Sequence, residues 1–190
     1  MTQEIEIEYK VLLTKNEYDQ LTNDFPFPKR STLQTNYYFE TNNHDLKKHR
    51  SALRIREKAN KYILTLKQPY KNAILETHDP LSFDAFLRWK NGMPTHAPHV
   101  EQQLTKMDIQ INELIYFGSL QTKRKTFTSK NIIYVLDESH YNGKMDYELE
   151  IEAPSHEIGN TIFLEILQQY NITPKKPITK IERFFNTLPS

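Results

Sequence analysis

The sequence predicts an α+β fold, or a β-barrel with accessory helices, built from antiparallel strands. Three observations predict it. Strict two-residue alternation of polar and apolar residues recurs over 3–13, 51–58 and 144–153. Helical spacing is confined to short stretches near the start, in the middle and over 156–170. The regular strand–helix–strand alternation of a parallel sheet is missing. At 190 residues the chain favours one domain, 1–190, large enough to bury a core without staples.

Taken in order, Glu4, Glu6, Glu8 and Lys10 fall on one face of the first strand and Ile5, Ile7, Tyr9 and Val11 on the other. Thr14 with Glu17 reads as a capping box opening a helix over 15–21, which Pro26 and Pro28 terminate. TLQTNYYFE, 32–40, is β-branched and aromatic, hence a second strand. A helical turn is expected over 44–49. A strand over 51–58 follows, then a hairpin loop at 58–60 and a strand that Pro69 closes. Another short strand covers 72–78. Asp79 or Ser82 is expected to cap a helix over 84–89, and the polar stretch 95–114 to form short helices. Strand character returns over 115–127, 132–137 and 144–153, with turns at Asn131 and Asn142-Gly143. Ile158, Ile162, Phe163, Ile166 and Leu167 lie at helical spacing, Pro174 and Pro177 break that helix, and 178–185 forms a last short element.

Composition excludes several classes. There is no Cys among the 190 residues, so thiolate metal sites, disulfides and thiol nucleophiles are ruled out. A formal net charge of +1 argues against a nucleic-acid coat. No segment approaches the ~18 apolar residues of a membrane span. The acidic, alternating N-terminus is unlike a signal peptide. A cytoplasmic protein with no nucleic-acid or membrane partner is expected, as monomer or homodimer. The four glycines are isolated, so no Gly-rich phosphate loop exists, and no Ser/His/Asp arrangement supports acyl transfer. His96 and His99 flank Pro98 in an expected surface loop, and His78 shares a face with Glu76 near a rim.

The rows of charge carry the chemistry. Glu4/Glu6/Glu8 and Asp146/Glu148/Glu150/Glu152 are ladders of carboxylates; Arg54/Arg56, and Lys61/Lys67 with Thr65, are ladders of cations in the same alternation. A solvated sheet face accounts for any one ladder, but such faces normally mix signs, and like charges in a row repel. Sorted rows suggest polar faces that enclose a volume. Carboxylates would hold a divalent cation and Arg and Lys a phosphate. Ile5, Ile7, Leu149 and Ile151 would then face outward, under helices such as 156–170.

Glu6-Ile7-Glu8-Tyr9-Lys10 matches an ExExK signature. It is followed in order by Arg54-Ile55-Arg56, Thr65-Leu66-Lys67, Glu76, Arg124, Asp137, Glu148-Leu149-Glu150, Lys180 and Arg183. Across nearly the whole chain this series resembles the CYTH superfamily, the triphosphate tunnel metalloenzymes, and in particular bacterial stand-alone members often described as adenylate cyclases. The resemblance implies an eight-stranded antiparallel β-barrel with accessory helices that binds a triphosphate-containing small molecule with Mg²⁺ or Mn²⁺. It implies metal binding by Glu6, Glu8, Asp137, Glu148 and Glu150, and phosphate binding by Arg54, Arg56, Lys67, Arg124, Lys180 and Arg183. Lys10, Glu6 and Glu8 would be catalytic, with Glu4, Thr65 and Glu76 as further candidates. One departure stands out: where many members carry K-x-R, Arg124 shares its face with Thr122 and Thr126, and Lys123 and Lys125 take the other. The implied activity is metal-dependent hydrolysis of inorganic or organic triphosphate. The alternatives are an adenylate cyclase and a non-catalytic triphosphate or polyphosphate binder.

Overall fold

The computed structural model describes residues 2–174 and 178–187. In chain order it contains β1 (Gln3–Glu6), β2 (Glu8–Leu13), α1 (Lys15–Asp24), β3 (Thr32–Glu40), α2 (Asp45–Lys48), β4 (Ala52–Lys58), β5 (Lys61–Tyr70) and β6 (Ala73–Leu81). There follow α3 (Phe83–Lys90), α4 (Pro98–Thr105), a 3₁₀ turn at Ile111–Glu113, β7 (Ile115–Ser129), β8 (Ile132–Tyr141), β9 (Lys144–Glu152), α5 (His156–Gln169) and α6 (Lys180–Phe185). The chain divides into two compact units, one of Met1–Ile5 and Gln34–Leu120, the other of Glu6–Leu33 and Gln121–Ser190.

In the first unit the strand order is β1-β6-β5-β4-β3. β3, β4, β5 and β6 pair antiparallel in sequence, and Ala59 and Asn60, both at positive φ (49° and 59°), make the tight turn between β4 and β5. Alternation then separates two faces. Leu53 and Ile55 of β4 and Leu64 and Leu66 of β5 are fully buried, in a core with Phe39, Trp89 of α3 and Val100 of α4. Phe39 meets Trp89 edge-on at 5.2 Å between centroids, so the two largest buried side chains lock α3 to β3. Each fully buried Leu or Ile here contributes roughly 1.5–3 kcal/mol.

The second unit has the order β7-β8-β9-β2, and these strands pair antiparallel. Its core joins Val11 and Leu13 of β2, Leu149 and Ile151 of β9, and Leu136 of β8 to Tyr18 and Leu21 of α1 and Ile166 and Leu167 of α5. The Thr14–Glu17 capping box forms as the sequence predicts: Glu17 N donates to Thr14 Oγ1 at 3.3 Å and Thr14 N to the Glu17 carboxylate at 2.6 Å. The helix runs on to Asp24 instead of stopping at Leu21.

Several expectations need correction. The described residues hold nine strands where eight were expected, because the first breaks at Ile7 into β1 and β2, which fall largely to different units. Pro69 does not end its strand: it pairs with Ile74 inside the β5–β6 ladder, which runs on to Tyr70, and the strand expected over 72–78 runs on to Leu81. Asp79 does not cap α3, which Ser82 caps; the buried Asp79 carboxylate instead accepts from the backbone N–H groups of His99 and Val100 at the start of α4. His99 thus sits in a helical first turn, its Nδ1 2.6 Å from Asp79, and not in a free loop. Ile5, expected under cover, is 58% exposed. Pro177 lies outside the described residues.

Candidate functional site

In the first unit the register sets charged side chains in cross-strand rows. Lys67 of β5 stands opposite Glu76 of β6 and forms an ion pair with it; Arg54 Nη2 lies 3.8 Å from the same Glu76 Oε1. A second row runs Tyr38, Arg54, Thr65, His78 across β3 to β6. Thr65 Oγ1 is 3.0 Å from His78 Nδ1, and His78 Nε2 is 3.1 Å from Glu4 of β1 and 3.5 Å from Glu76. Arg56, one pair further along, donates through Nε to Asn36 Oδ1 at 3.0 Å. Arg54 Nε is buried and makes no hydrogen bond among the described residues. Arg54, Lys67, Thr65 and Glu76, and next to them Glu4, thus lie together. Glu4, Glu76 and His78 also place ligand-type atoms within 4.8 Å of one another, but the Lys67 ammonium already lies on Glu76.

In the second unit one row runs Arg124, Asp137, Glu148 across β7, β8 and β9, and the next joins Val135, Glu150 and Lys10 across β8, β9 and β2. Asp137, Glu148 and Glu150 are all buried and offer oxygens within 4.8 Å of one another. Arg124 grips Asp137 through two bonds, Nε to Oδ1 at 2.7 Å and Nη2 to Oδ2 at 2.6 Å, and reaches Glu150 Oε2 at 2.7 Å. α6 brings two more cations. Thr179 caps it, and Lys180 and Arg183, three residues apart, share one helix face. Lys180 Nζ is bonded to Asp137 and lies 3.2 Å from both Glu148 Oε1 and Glu150 Oε1. Arg183 Nη1 lies 2.8 Å from Glu148 Oε2 and its Nε donates to Asp146 at 2.8 Å. Tyr141 donates its hydroxyl to Asp146 at 2.6 Å.

Crowding divides these carboxyl groups. Burial pushes Glu148 up to about 7, the neighbouring Glu150 adding to the effect while Lys180 opposes it. Burial acts in the same sense on Glu150 and Asp137, but Lys180 and Arg124 outweigh it and hold both below the usual carboxylate range. Burial would lower Lys180, and the surrounding carboxylates raise it instead.

The Asp137–Glu148–Glu150 set fits a hard divalent cation. It consists of buried oxygen donors alone, and the Lys180 ammonium, 3.2 Å from Glu148 Oε1 and from Glu150 Oε1, already marks it as a place for positive charge. Glu6 and Glu8 are not part of this cluster; Glu8 pairs with Lys10 on its own strand. Asp146 is in phase with Glu148 and Glu150 in the sequence, yet its role is not legible there, because alternation alone cannot say which carboxylate a distant arginine will reach.

The CYTH domain family model matches residues 4–185. The chain belongs to the CYTH family. It is 40% identical over 186 residues to the protein named putative triphosphatase YjbK of Bacillus subtilis (strain 168), covering 97% of this chain and 96% of that one. A crystal structure from Bacillus halodurans, described as a putative adenylate cyclase, is 38% identical with a TM-score of 0.92, over 97% of this chain and 100% of the other. A Hippeastrum protein described as a putative adenylyl cyclase with a dominant triphosphatase activity is 22% identical with a TM-score of 0.77, over 96% and 95% of the two chains; this likeness speaks to the fold alone. The fold class read from the sequence, the antiparallel CYTH class with accessory helices, is the fold class of this CYTH protein. No helix among the described residues is long and apolar enough to cross a membrane.

Proposed function

We propose that this CYTH protein is a divalent-metal-dependent triphosphatase that hydrolyses the terminal phosphoanhydride of an inorganic or organic triphosphate, releasing phosphate and, from inorganic triphosphate, pyrophosphate. The observation that carries the reading is the buried Asp137–Glu148–Glu150 set of oxygen donors, with Arg124, Lys180 and Arg183 around it. The name of the Bacillus subtilis relative, a triphosphatase, supports it. Asp137, Glu148 and Glu150 would hold Mg²⁺ or Mn²⁺, with Glu6 and Glu8 as additional carboxylates. The bound cation supplies charge to phosphate oxygens and acidifies a water. Arg54, Arg56 and Lys67 neutralise phosphate oxygens, helped by Arg124, Lys180 and Arg183 as they exchange a carboxylate for phosphate. Lys10 neutralises the terminal phosphoryl oxygens. Glu148, which carries a proton up to about pH 7, releases it when the cation binds. We read residues 1–190 as one CYTH domain in a cytoplasmic protein, since one family model spans both compact units.

A panel assay tests this. Tripolyphosphate, ATP and thiamine triphosphate are offered with Mg²⁺, Mn²⁺ or EDTA, and phosphate, pyrophosphate and cyclic nucleotide are measured. Metal-dependent phosphate release is expected. Cyclic AMP with pyrophosphate would replace the reading with a cyclase, and tight binding without turnover with a sensor.

A further inference from the structure

β2 carries Glu8 and Lys10 on one face and Tyr9 on the other. It lies at the end of the strand order of its unit, with β9 as its strand neighbour, so its placement depends on what packs behind it. Behind it is α5. The Tyr9 hydroxyl donates to the His156 carbonyl at 3.1 Å and lies 3.2 Å from His156 Nδ1. Its ring is 5.6 Å from that of Phe163. It also rests on Gly159, where a Cβ would come within 2.6 Å of Tyr9 Cε2 and 2.9 Å of Ala153 Cβ. Gly159 is not among the residues with positive φ, so its backbone does not ask for glycine. A glycine inside a helix costs about 1 kcal/mol against alanine. What it provides here is the close approach of the Tyr9 ring.

We propose that Tyr9, seated on Gly159 and tied to His156, is a positioning residue that fixes β2 against α5 and thereby sets the Lys10 ammonium. Consecutive strand residues point to opposite faces, so pushing Tyr9 off the helix carries Lys10 the same way. The proposal rests on the triphosphatase reading for its effect on turnover, not for its effect on Lys10 itself. Relieving a 2.6 Å contact takes most of an ångström, and a displacement of ~1 Å costs up to about 10²-fold in rate.

Four variants test it: Gly159→Ala, Tyr9→Leu, the two combined, and Leu164→Gly, which lowers the helix propensity of α5 at an exposed position and so tests whether disturbing the helix alone is enough. The first readout is the NMR signal of the Lys10 ε-methylene in substrate-free protein. It should move in Gly159→Ala and in Tyr9→Leu, move no further in the combined variant than in Tyr9→Leu alone, and stay in place in Leu164→Gly. An unmoved Lys10 signal in Gly159→Ala overturns the proposal whether or not the protein turns over triphosphate. The second readout is tripolyphosphate hydrolysis. Gly159→Ala should lower kcat about 10- to 100-fold with KM within about 2-fold, and should have no further effect in a Lys10→Met background. An equal loss in Leu164→Gly, or a full additional loss on Lys10→Met, would reduce Tyr9 to ordinary packing. A wild-type protein inactive on all triphosphates would overturn the triphosphatase reading, while the NMR result would still decide whether Tyr9 positions Lys10.

Discussion

Glu76 and Glu148 are both buried carboxylates on alternating strands, one in each unit, and they meet their cations differently. Glu76 faces Lys67 directly across the β5–β6 ladder, within one hairpin, and Arg54 comes from the next strand. Glu148 has an acid, Asp137, as its cross-strand neighbour; its cations, Lys180 and Arg183, arrive from a helix more than thirty residues further on. The hairpin pair is specified by register alone. The α6 pairs depend on a helix docking, and even with them in place burial holds Glu148 up at about 7. Where a sheet sorts acids onto neighbouring strands, it builds a place that a further cation would stabilise.

The largest expected effect breaks the acidic side. Glu148→Gln with Glu150→Gln should lower metal-dependent phosphate release by a factor on the order of 10³, with circular dichroism unchanged. Retained turnover with retained metal dependence would place the metal elsewhere. Next is the cation that α6 supplies. Lys180→Met leaves Asp137 and Glu150 short of their partner, and unfolding titrations at pH 8 should show a loss of about 3–5 kcal/mol. The sign follows from the depressed pKa of those two groups: the stability they confer is present above the ordinary carboxylate range. The loss should therefore hold through neutral pH and shrink only as the pH falls below about 4, through the depressed range of these two groups. A pH-independent loss would show that packing, not charge, is what Lys180 provides.

The anion side should respond less steeply. Arg54→Ala should weaken metal-free tripolyphosphate binding by roughly 1.5–3 kcal/mol, the range for a hydrogen bond to a charged group. Calorimetry showing unchanged affinity would remove the first unit's cations from substrate binding. The smallest effect sharpens the comparison. Because the folded pKa of Glu148 lies above its unfolded value, the native state holds a proton that the unfolded chain gives up. Stability from this group is full below about pH 4.5 and declines until about pH 7. Glu148→Gln should flatten that part of the profile, seen as a smaller difference in urea midpoint between pH 5 and pH 8. In the wild type, divalent cation should release close to one proton near pH 6.

How far the sequence could be read depended on the distance over which each feature is decided. The capping box at Thr14, the tight turns at 58–60 and 142–143 and the faces of β4, β5 and β9 were legible, because they follow from local propensity and a period of two. Pro69 misled, because a proline at a strand end needs only a position where no ladder donor is missed. Asp79 misled as well: a good N-cap side chain beside one helix was recruited by another, twenty residues on.

By itself the sequence determined which side chains share a strand face, and hence that acids and bases are sorted by strand, since alternation is a property of the extended backbone. Together with the order of its motifs, that was enough to point to the CYTH family. The tertiary structure alone decided which charges meet. It made Asp137, Glu148 and Glu150 one buried set, brought Lys180 and Arg183 onto it, and left Glu6 and Glu8 outside it. The physical reason is that the energy of a buried charge depends on burial and on partners a few ångströms away, and those partners come from parts of the chain that no local pattern connects.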